Sequence, residues 1–292
     1  MPVSRIILQQ KPPNMNIFAF LKERWHLIAV FILGIGIVVA CIVFGVYFQN
    51  SNMSISGMFN INQDEPKKTM YLVGISQVEV PPFLTYDQDV EIGLDVDLIQ
   101  WISNDVEINI TFVRMATFET GLDALRYEEI DMLLSGISIT PKRMEEFLFS
   151  DPYMSTEQQI AVAGESTLTL NDFYAGPGLI GVKRGTTSYE TVRNLFIDPL
   201  RVHEINGVVQ VAKELVNGKI DFMVTEQPII ATLAQEYPLK VIGSISTGEE
   251  YGIMFRKDNV SLQKMINASL KKLLNSPEWN TIKYKYYPEQ LQ

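Results

Sequence analysis

The sequence predicts an α/β protein with two lobes behind one N-terminal transmembrane helix. From about Met70, strand-like runs alternate with stretches of helical apolar spacing, which is typical of parallel sheets covered by helices. This alternation continues for roughly 220 residues, and a single domain usually takes about 100–200, so two lobes are favoured over one. The transmembrane prediction comes from residues 27–48, which contain no charged side chain.

The apolar segment Leu27–Phe48 is long enough to span a membrane. Its 22 residues would form a helix that crosses the ~30 Å hydrocarbon core of a bilayer. Four basic residues and one acidic residue precede it, so the positive-inside tendency places the N-terminus in the cytoplasm and the remaining chain outside. We therefore predict a cytoplasmic segment at residues 1–26, a signal anchor at 27–48 and a polar linker at 49–69.

Two other interpretations of this segment stay open. A cleaved signal peptide would have a shorter apolar stretch that ends at a small-residue cleavage site. A lipid-modified Cys41 would be followed by a polar tether, whereas apolar residues continue as far as Phe48. The uncleaved anchor is the interpretation that fits the length of the apolar run.

The elements after the linker follow from their apolar spacing. Runs rich in β-branched and apolar residues predict strands at Tyr71–Ile75, Ile110–Val113, Ile130–Leu134, Leu179–Val182, Arg201–Ile205 and Ile220–Val224. Apolar residues three and four positions apart predict helices at Leu94–Ile102, Phe118–Leu125, Tyr189–Phe196, Val208–Asn217 and Leu262–Leu274.

Composition excludes several classes of function. The formal net charge is −10, whereas a nucleic-acid-binding protein would present a basic face. A single Cys cannot form a disulfide framework or a cysteine-rich metal centre, and two His residues leave little for a histidine-based centre. We therefore expect no nucleic-acid partner, no metal site and no cofactor.

Residues 135–143 (SGISITPKR) place a cation at the start of a helix. Thr140-Pro141 has the form of an N-cap followed by the first helical position, so Arg143 would be the third helical residue. The positive end of the helix dipole disfavours a cation unless an anion is bound there. The Ser138 hydroxyl, free backbone N–H groups and the guanidinium would together suit a carboxylate. The alternative is a surface arginine paired with Glu146.

Two further turns between strand and helix carry polar residues. Gly185-Thr186-Thr187 could hold an anion with its hydroxyl and N–H groups, or could be an ordinary capped loop. Glu226 follows a strand at its carboxyl end, where α/β sheets bind ligands, so it could accept an ammonium group or could serve only as a dipole partner. Phe118 opens its helix and could face the same cleft, although core packing is the usual fate of such a residue. Gly176–Gly181 spells a dinucleotide motif, but its glycines precede the strand, so it is a loop.

Taken together, these segments resemble a known family. From about Met70 to Tyr287 the chain is similar to the bacterial and archaeal extracellular solute-binding proteins of family 3, the polar amino-acid binders of ABC importers. The matching segments are Val80–Phe83, Gly93–Leu98, Gly136–Arg143, Phe149–Tyr153, Gly185–Thr187, Gly218–Asp221 and Tyr251–Ile253. The run from Ser135 to Tyr153 is the most specific of them.

The resemblance implies a periplasmic-binding-protein-like (type II) fold, in which two crossover strands join two lobes that close on one ligand. It implies that the C-terminal part returns to the first lobe, so we expect lobe 1 at residues 70–162 and 246–288 and lobe 2 at 163–245. The crossovers are then expected near Ala161–Gly164 and Gly243–Gly248. The implied partners are a small-molecule ligand and the permease subunits of an ABC transporter, with the N-terminal helix in the membrane.

The resemblance also assigns roles to the polar turns. By it, Arg143, Thr186 and Thr187 hold the α-carboxylate of an amino acid, and Phe118 stacks against its side chain. The ammonium group would meet Glu226, Ser138 and the carbonyl of Gly136, beside Ser135. Val80 stands where the family often has an aromatic residue, and Glu226 where many members have Asp. Both differences alter the pocket volume, so the identity of the ligand is left open.

Three functions are compatible with these expectations. A membrane-anchored binding protein that delivers an amino acid to an ABC importer is the first, and it is not an enzyme. A ligand-sensing ectodomain that reports to a separate signalling partner is the second. The third is an enzyme on the same scaffold, similar to a cyclohexadienyl dehydratase. Glu226 could then act as the acid, but the sequence offers no evident second catalytic group.

Overall fold

The computed structural model describes residues 68–195 and 197–287, together with Gly36, Val38 and Val39. The chain divides into two compact units, residues 1–66 and 67–292. Gly36, Val38 and Val39 are helical, while the rest of the predicted anchor, the segment 1–26, Cys41 and the linker up to residue 67 lie outside the described residues. Among the residues that the structure does describe, none of the helices has the length and apolar character needed to cross a bilayer.

The second unit alternates strands and helices as expected. Its strands are β1 (Met70–Ser76), β2 (Thr85–Asp87), β3 (Val90–Ile92), β4 (Asn109–Met115), β5 (Met132–Leu133), β6 (Phe147–Phe149), β7 (Met154–Ala163), β8 (Ile180–Lys183), β9 (Val202–Ile205), β10 (Phe222–Glu226), β11 (Leu239–Tyr251) and β12 (Met254–Arg256). Its helices are α1 (Leu94–Asp105), α2 (Phe118–Arg126), α3 (Pro141–Glu146), α4 (Leu170–Ala175), α5 (Thr187–Asn194), α6 (Val208–Val216), α7 (Gln227–Leu233), α8 (Val260–Leu274) and α9 (Pro277–Tyr286), with a 3₁₀ turn at Pro199–Arg201.

Two five-stranded sheets organise this unit. The first has the order β4-β1-β5-β12-β6, in which β1 is parallel to β4 and β5 while β12 is antiparallel to β5 and β6. The second has the order β11-β7-β10-β8-β9, in which β8 is parallel to β9 and β10 while β7 is antiparallel to β10 and β11. Both sheets are therefore mixed: each has a parallel part and an antiparallel part. The antiparallel pairs are those of β12 in the first sheet and of β7 in the second.

Helices cover both sheets and bury hydrophobic side chains against them. In the first lobe α1 packs against α8 and α9, and α2 packs against β1 and β5. In the second lobe α5 and α6 pack against β8 and β10. A hydrophobic cluster of the second lobe includes an edge-to-face contact between Phe173 and Phe222, whose ring centroids are 5.4 Å apart. The sheets thus have the layered α/β packing that the alternation predicted.

The passages between the sheets lie beside each other. The N–H of Ser150 donates to the carbonyl of Ile253 at 2.8 Å, and the N–H of Ile253 donates to Ser150 Oγ at 2.9 Å. The N–H of Tyr153 donates to the carbonyl of Tyr251 at 3.0 Å. The predicted crossover near Ala161–Gly164 instead coincides with the end of β7, and the one near Gly243–Gly248 lies inside β11. The family resemblance implied a crossover near Gly243–Gly248, but β11 runs through this stretch with register shifts at Val241/Gly243 and Ile245/Glu249. Such bulges bend a strand without ending it.

Candidate functional site

A cavity of about 50 Å³ lies where loops of the first lobe meet loops of the second. Eight of the nine predicted site residues line it: Phe118, Ser135, Gly136, Ser138, Arg143, Thr186, Thr187 and Glu226. Val80, the ninth, is buried in the core of the first lobe and its N–H donates to the carbonyl of Leu84 at 2.8 Å. The side chain of Val80 lines neither this cavity nor the larger one beside it.

A buried carboxylate holds the loop that carries Ser135 and Gly136. The N–H groups of Ser135 and Gly136 donate to Asp95 Oδ2 at 3.1 and 2.7 Å, and the Tyr153 hydroxyl donates to Asp95 Oδ1 at 2.8 Å. Burial raises the pKa of Asp95 to about 6, against the opposing effect of these hydrogen bonds. Asp95 therefore positions the loop from beneath, at the start of α1.

Position 136 favours glycine for two reasons, its backbone conformation and the closeness of a neighbouring ring. Its φ of +61° lies in the left-handed region, and a Cβ atom there would be 2.6 Å from the ring of Phe83, which is fully buried. The preceding Ser135 also has a positive φ, and its Oγ accepts a hydrogen bond from the N–H of Ser76 at 3.0 Å. The loop can therefore approach the core closely and keep the Gly136 carbonyl at the cavity.

Arg143 occupies the helix start that the sequence predicted. Thr140 is the N-cap of α3, and its Oγ1 accepts from the N–H of Arg143 at 3.3 Å. The guanidinium donates to the carbonyl of Ser138 at 2.8 Å and lies 4.5 Å from the ring centroid of Phe118. Burial lowers the pKa of Arg143, but arginine keeps its proton in proteins. The alternative pairing is wrong, because Glu146 contacts Arg126 at 2.6 Å instead.

Two carboxylates, those of Glu226 and Glu249, form the acidic side of the site. Thr187 Oγ1 contacts Glu226 Oε1 at 3.3 Å and also contacts Glu249 Oε1. Thr225 donates to Glu226 Oε2 at 2.6 Å, and Gln158 donates to Glu249 Oε2 at 2.8 Å. Burial, followed by repulsion from Glu249, raises the pKa of Glu226. A cation placed here would relieve that repulsion.

Three residues of this arrangement were not predicted from the sequence. Asp95 and Glu249 act through tertiary contacts, since each lies more than 30 positions from the residues that it contacts here, and no local pattern indicates such contacts. Lys183 lines both cavities and ends β8, two residues before the predicted turn at Gly185. Its position next to that turn was the one signal that could have identified it.

The sequence and the fold match known proteins over the same region. Residues 72–289 match the model of the bacterial extracellular solute-binding proteins, family 3. The chain belongs to this family. The predicted family, two-lobe fold and solute-binding function are thereby confirmed, and the family is extracytoplasmic.

Several relatives of this solute-binding protein are named as amino-acid-binding proteins. It is 29% identical over 221 residues to a probable histidine-binding protein of Neisseria gonorrhoeae, a match that covers 74% of this chain and 82% of the relative. It is 29% identical over 202 residues to the ABC transporter glutamine-binding protein GlnH of Bacillus subtilis, covering 68% and 73%. The crystal structure of the arginine-, lysine-, histidine-binding protein ArtJ of Geobacillus stearothermophilus is 27% identical with a TM-score of 0.67, covering 75% of this chain and 96% of ArtJ.

Proposed function

We propose that this solute-binding protein holds an α-amino acid in the cavity between its lobes and delivers it to an ABC importer. The observation that carries this proposal is that one cavity presents both the Arg143 guanidinium and the Glu226 carboxylate. An α-amino acid has an anionic and a cationic group on one carbon atom, so it complements such a pair. The names of the relatives, which are amino-acid-binding and ABC transporter proteins, support the same ligand class and partner.

The α-carboxylate is assigned to Arg143 and to the start of α5. Arginine binds carboxylates through paired N–H donors, and the Phe118 ring restricts the plane of this guanidinium. Thr186 precedes α5 without capping it, because its hydroxyl donates to the carbonyl of Lys183 at 2.7 Å. The first N–H groups of α5 can therefore donate to the ligand carboxylate, which the helix dipole favours.

The α-ammonium is assigned to the acidic side of the cavity. Glu226, the carbonyl of Gly136 and the Ser138 hydroxyl supply three acceptors, which matches the three donors of an ammonium group. The second carboxylate, Glu249, adds negative charge near Glu226 without lining the cavity itself. The ammonium would thus neutralise a pair of carboxylates that are otherwise close and buried.

Capture and release are assigned to relative motion of the lobes. In this structure Ser138 Oγ of the first lobe is 3.5 Å from Thr187 Oγ1 of the second, and a Cβ atom on Gly185 would lie 2.8 Å from Glu119 Oε1. A ligand enclosed by these contacts leaves only when the lobes separate. We infer that the separation is a rotation about residues 150–153 and 252–253, where the chain passes between the sheets.

The membrane attachment is proposed from the sequence. The uncharged segment Leu27–Phe48 and the basic residues before it support a signal anchor that leaves the lobes outside the membrane. Such an anchor would keep the protein near its permease.

The ligand class is tested by calorimetric titration of the full chain, kept in a mild detergent, with each of the twenty amino acids. At least one should bind, and Arg143→Ala should abolish that binding because it removes the carboxylate partner. Arg126→Ala is the matched control, since Arg126 also stacks on an aromatic ring, Phe147, but at the surface. Normal affinity in Arg143→Ala contradicts the site assignment. Turnover of prephenate or arogenate by the wild type would support the enzyme alternative instead.

A further inference from the structure

A second and larger cavity, of about 230 Å³, adjoins the proposed amino-acid site. The two cavities share Phe118, Ser135, Ile137, Lys183 and Arg184. A water molecule needs only about 10–15 Å³ of such space, so the larger cavity has room for a side chain of several heavy atoms. An amino acid whose α-groups occupy the smaller cavity would therefore extend its side chain into the larger one.

Most of the polar groups around the larger cavity are already engaged. The Ser76 hydroxyl donates to the carbonyl of Val78 at 2.7 Å, and the Thr117 hydroxyl caps α2 by accepting from the N–H of Thr120 at 3.1 Å. The apolar part of the wall includes Met115, Leu133 and Leu134. The remaining polar side chain of the lining, that of Asn206, is exposed, so water competes for its hydrogen bonds. The strongest polar interactions with a ligand in this cavity therefore come from its charged residues.

Three charged residues line the cavity, and they differ in their surroundings. Glu119 and Arg184 are exposed, and Arg184 lies 3.8 Å from Glu204, so solvent screens both charges. Lys183 is only partly exposed, and burial lowers its pKa while Glu226 acts in the opposite direction. Within residues 68–195 and 197–287, no group forms a hydrogen bond or a close ion pair with Lys183 Nζ. Lys183 is thus a partly desolvated cation without a close partner.

We propose that Lys183 binds a side-chain oxygen of the ligand, so that the protein selects amino acids whose side chains end in a carboxylate or an amide carbonyl. This inference rests on the proposed amino-acid site. An oxygen acceptor gives the ammonium group the partner that it lacks. A side chain that ends in a cation is disfavoured, because it would place a second positive charge beside Lys183 where solvent screens poorly.

The first experiment is calorimetry on the full wild-type chain in mild detergent. We expect glutamate or glutamine to bind at least tenfold more tightly than arginine, lysine or histidine. Tightest binding of a basic amino acid overturns this inference and leaves the proposed function intact. If none of the twenty amino acids binds, the proposed function fails, and the inference fails with it.

The second experiment isolates the side-chain oxygen. Glutamate and norvaline have the same α-carboxylate and α-ammonium groups and side chains of three carbon atoms, but norvaline has no side-chain oxygen. The ratio of their affinities therefore measures what the side-chain oxygens contribute to binding. Lys183→Met should reduce this ratio at least tenfold, Lys183→Arg should largely restore it, and Arg184→Met should leave it near the wild-type value. A general disturbance of the site would weaken both ligands equally. An unchanged ratio in Lys183→Met overturns the assignment.

Discussion

The buried carboxylate of Asp95 should make the stability of this protein depend on pH, and Asp95→Asn should remove that dependence. Asn is close in shape, and its amide oxygen can accept from the N–H groups of Ser135 and Gly136, as Asp95 Oδ2 does at 3.1 and 2.7 Å. Its NH₂ group can donate to the oxygen of Tyr153. The substitution therefore preserves the hydrogen-bonded loop and deletes the titrating group.

The size of the effect follows from the shift of the Asp95 pKa. Burial raises this pKa from 3.8 to about 6 in the folded state. Between these values the folded protein holds a proton that the unfolded chain has released, so the free energy of unfolding falls as the pH rises. At about 1.36 kcal/mol per pKa unit, the wild type loses roughly 3 kcal/mol because of Asp95 between a pH well below 3.8 and a pH well above 6.

Urea denaturation of both proteins at half-unit steps from pH 4 to pH 7 measures the effect. The other titrating groups are common to both chains. The difference between the two stability curves therefore isolates Asp95. Over this pH range it should change by roughly 2.5 kcal/mol, with the wild type losing more stability as the pH rises. Parallel curves, or a wild type that gains stability relative to the variant, would refute the reasoning.

Two further substitutions test the loop and the acidic side of the site. In urea denaturation, Gly136→Ala should lower the free energy of unfolding by about 1–3 kcal/mol more than Gly248→Ala does. Both glycines have φ near +60°, but only at position 136 would the new Cβ meet a buried ring, that of Phe83. Equal losses of stability would contradict this. Glu226→Gln should weaken an amino acid roughly tenfold to a hundredfold and spare the analogous acid without an amine. Because the pKa of Glu226 is raised, wild-type affinity should increase as the pH rises through that pKa, and calorimetry of the variant should show no such increase.

Local sequence signals located much of the candidate site. Thr140-Pro141 fixed the start of α3 and so the position of Arg143, because a cap and the first helical residue are determined by adjacent residues. Glu226 was identified in the same way, from its position at the end of an apolar strand. Such features depend on chain neighbours, which a single sequence displays directly.

The other features of the candidate site depend on tertiary contacts. Glu249 reaches the site only because β11 pairs with β7 along most of its length, and no local pattern predicts that pairing. Val80 was expected at the ligand on the basis of the family resemblance, but its side chain packs into the core instead. The signal anchor lies almost wholly outside the described residues and stays a prediction.

The position of β12 in the first sheet has a consequence for synthesis on the ribosome. β12 lies between β5 and β6, although about a hundred residues separate it from β6 along the chain. When β6 emerges, its neighbour in the sheet has not yet been made, so the first sheet cannot be completed. The second sheet is built from one uninterrupted stretch, Met154–Tyr251, and can form in the meantime. The lobe that begins first along the chain is therefore the lobe that is finished last.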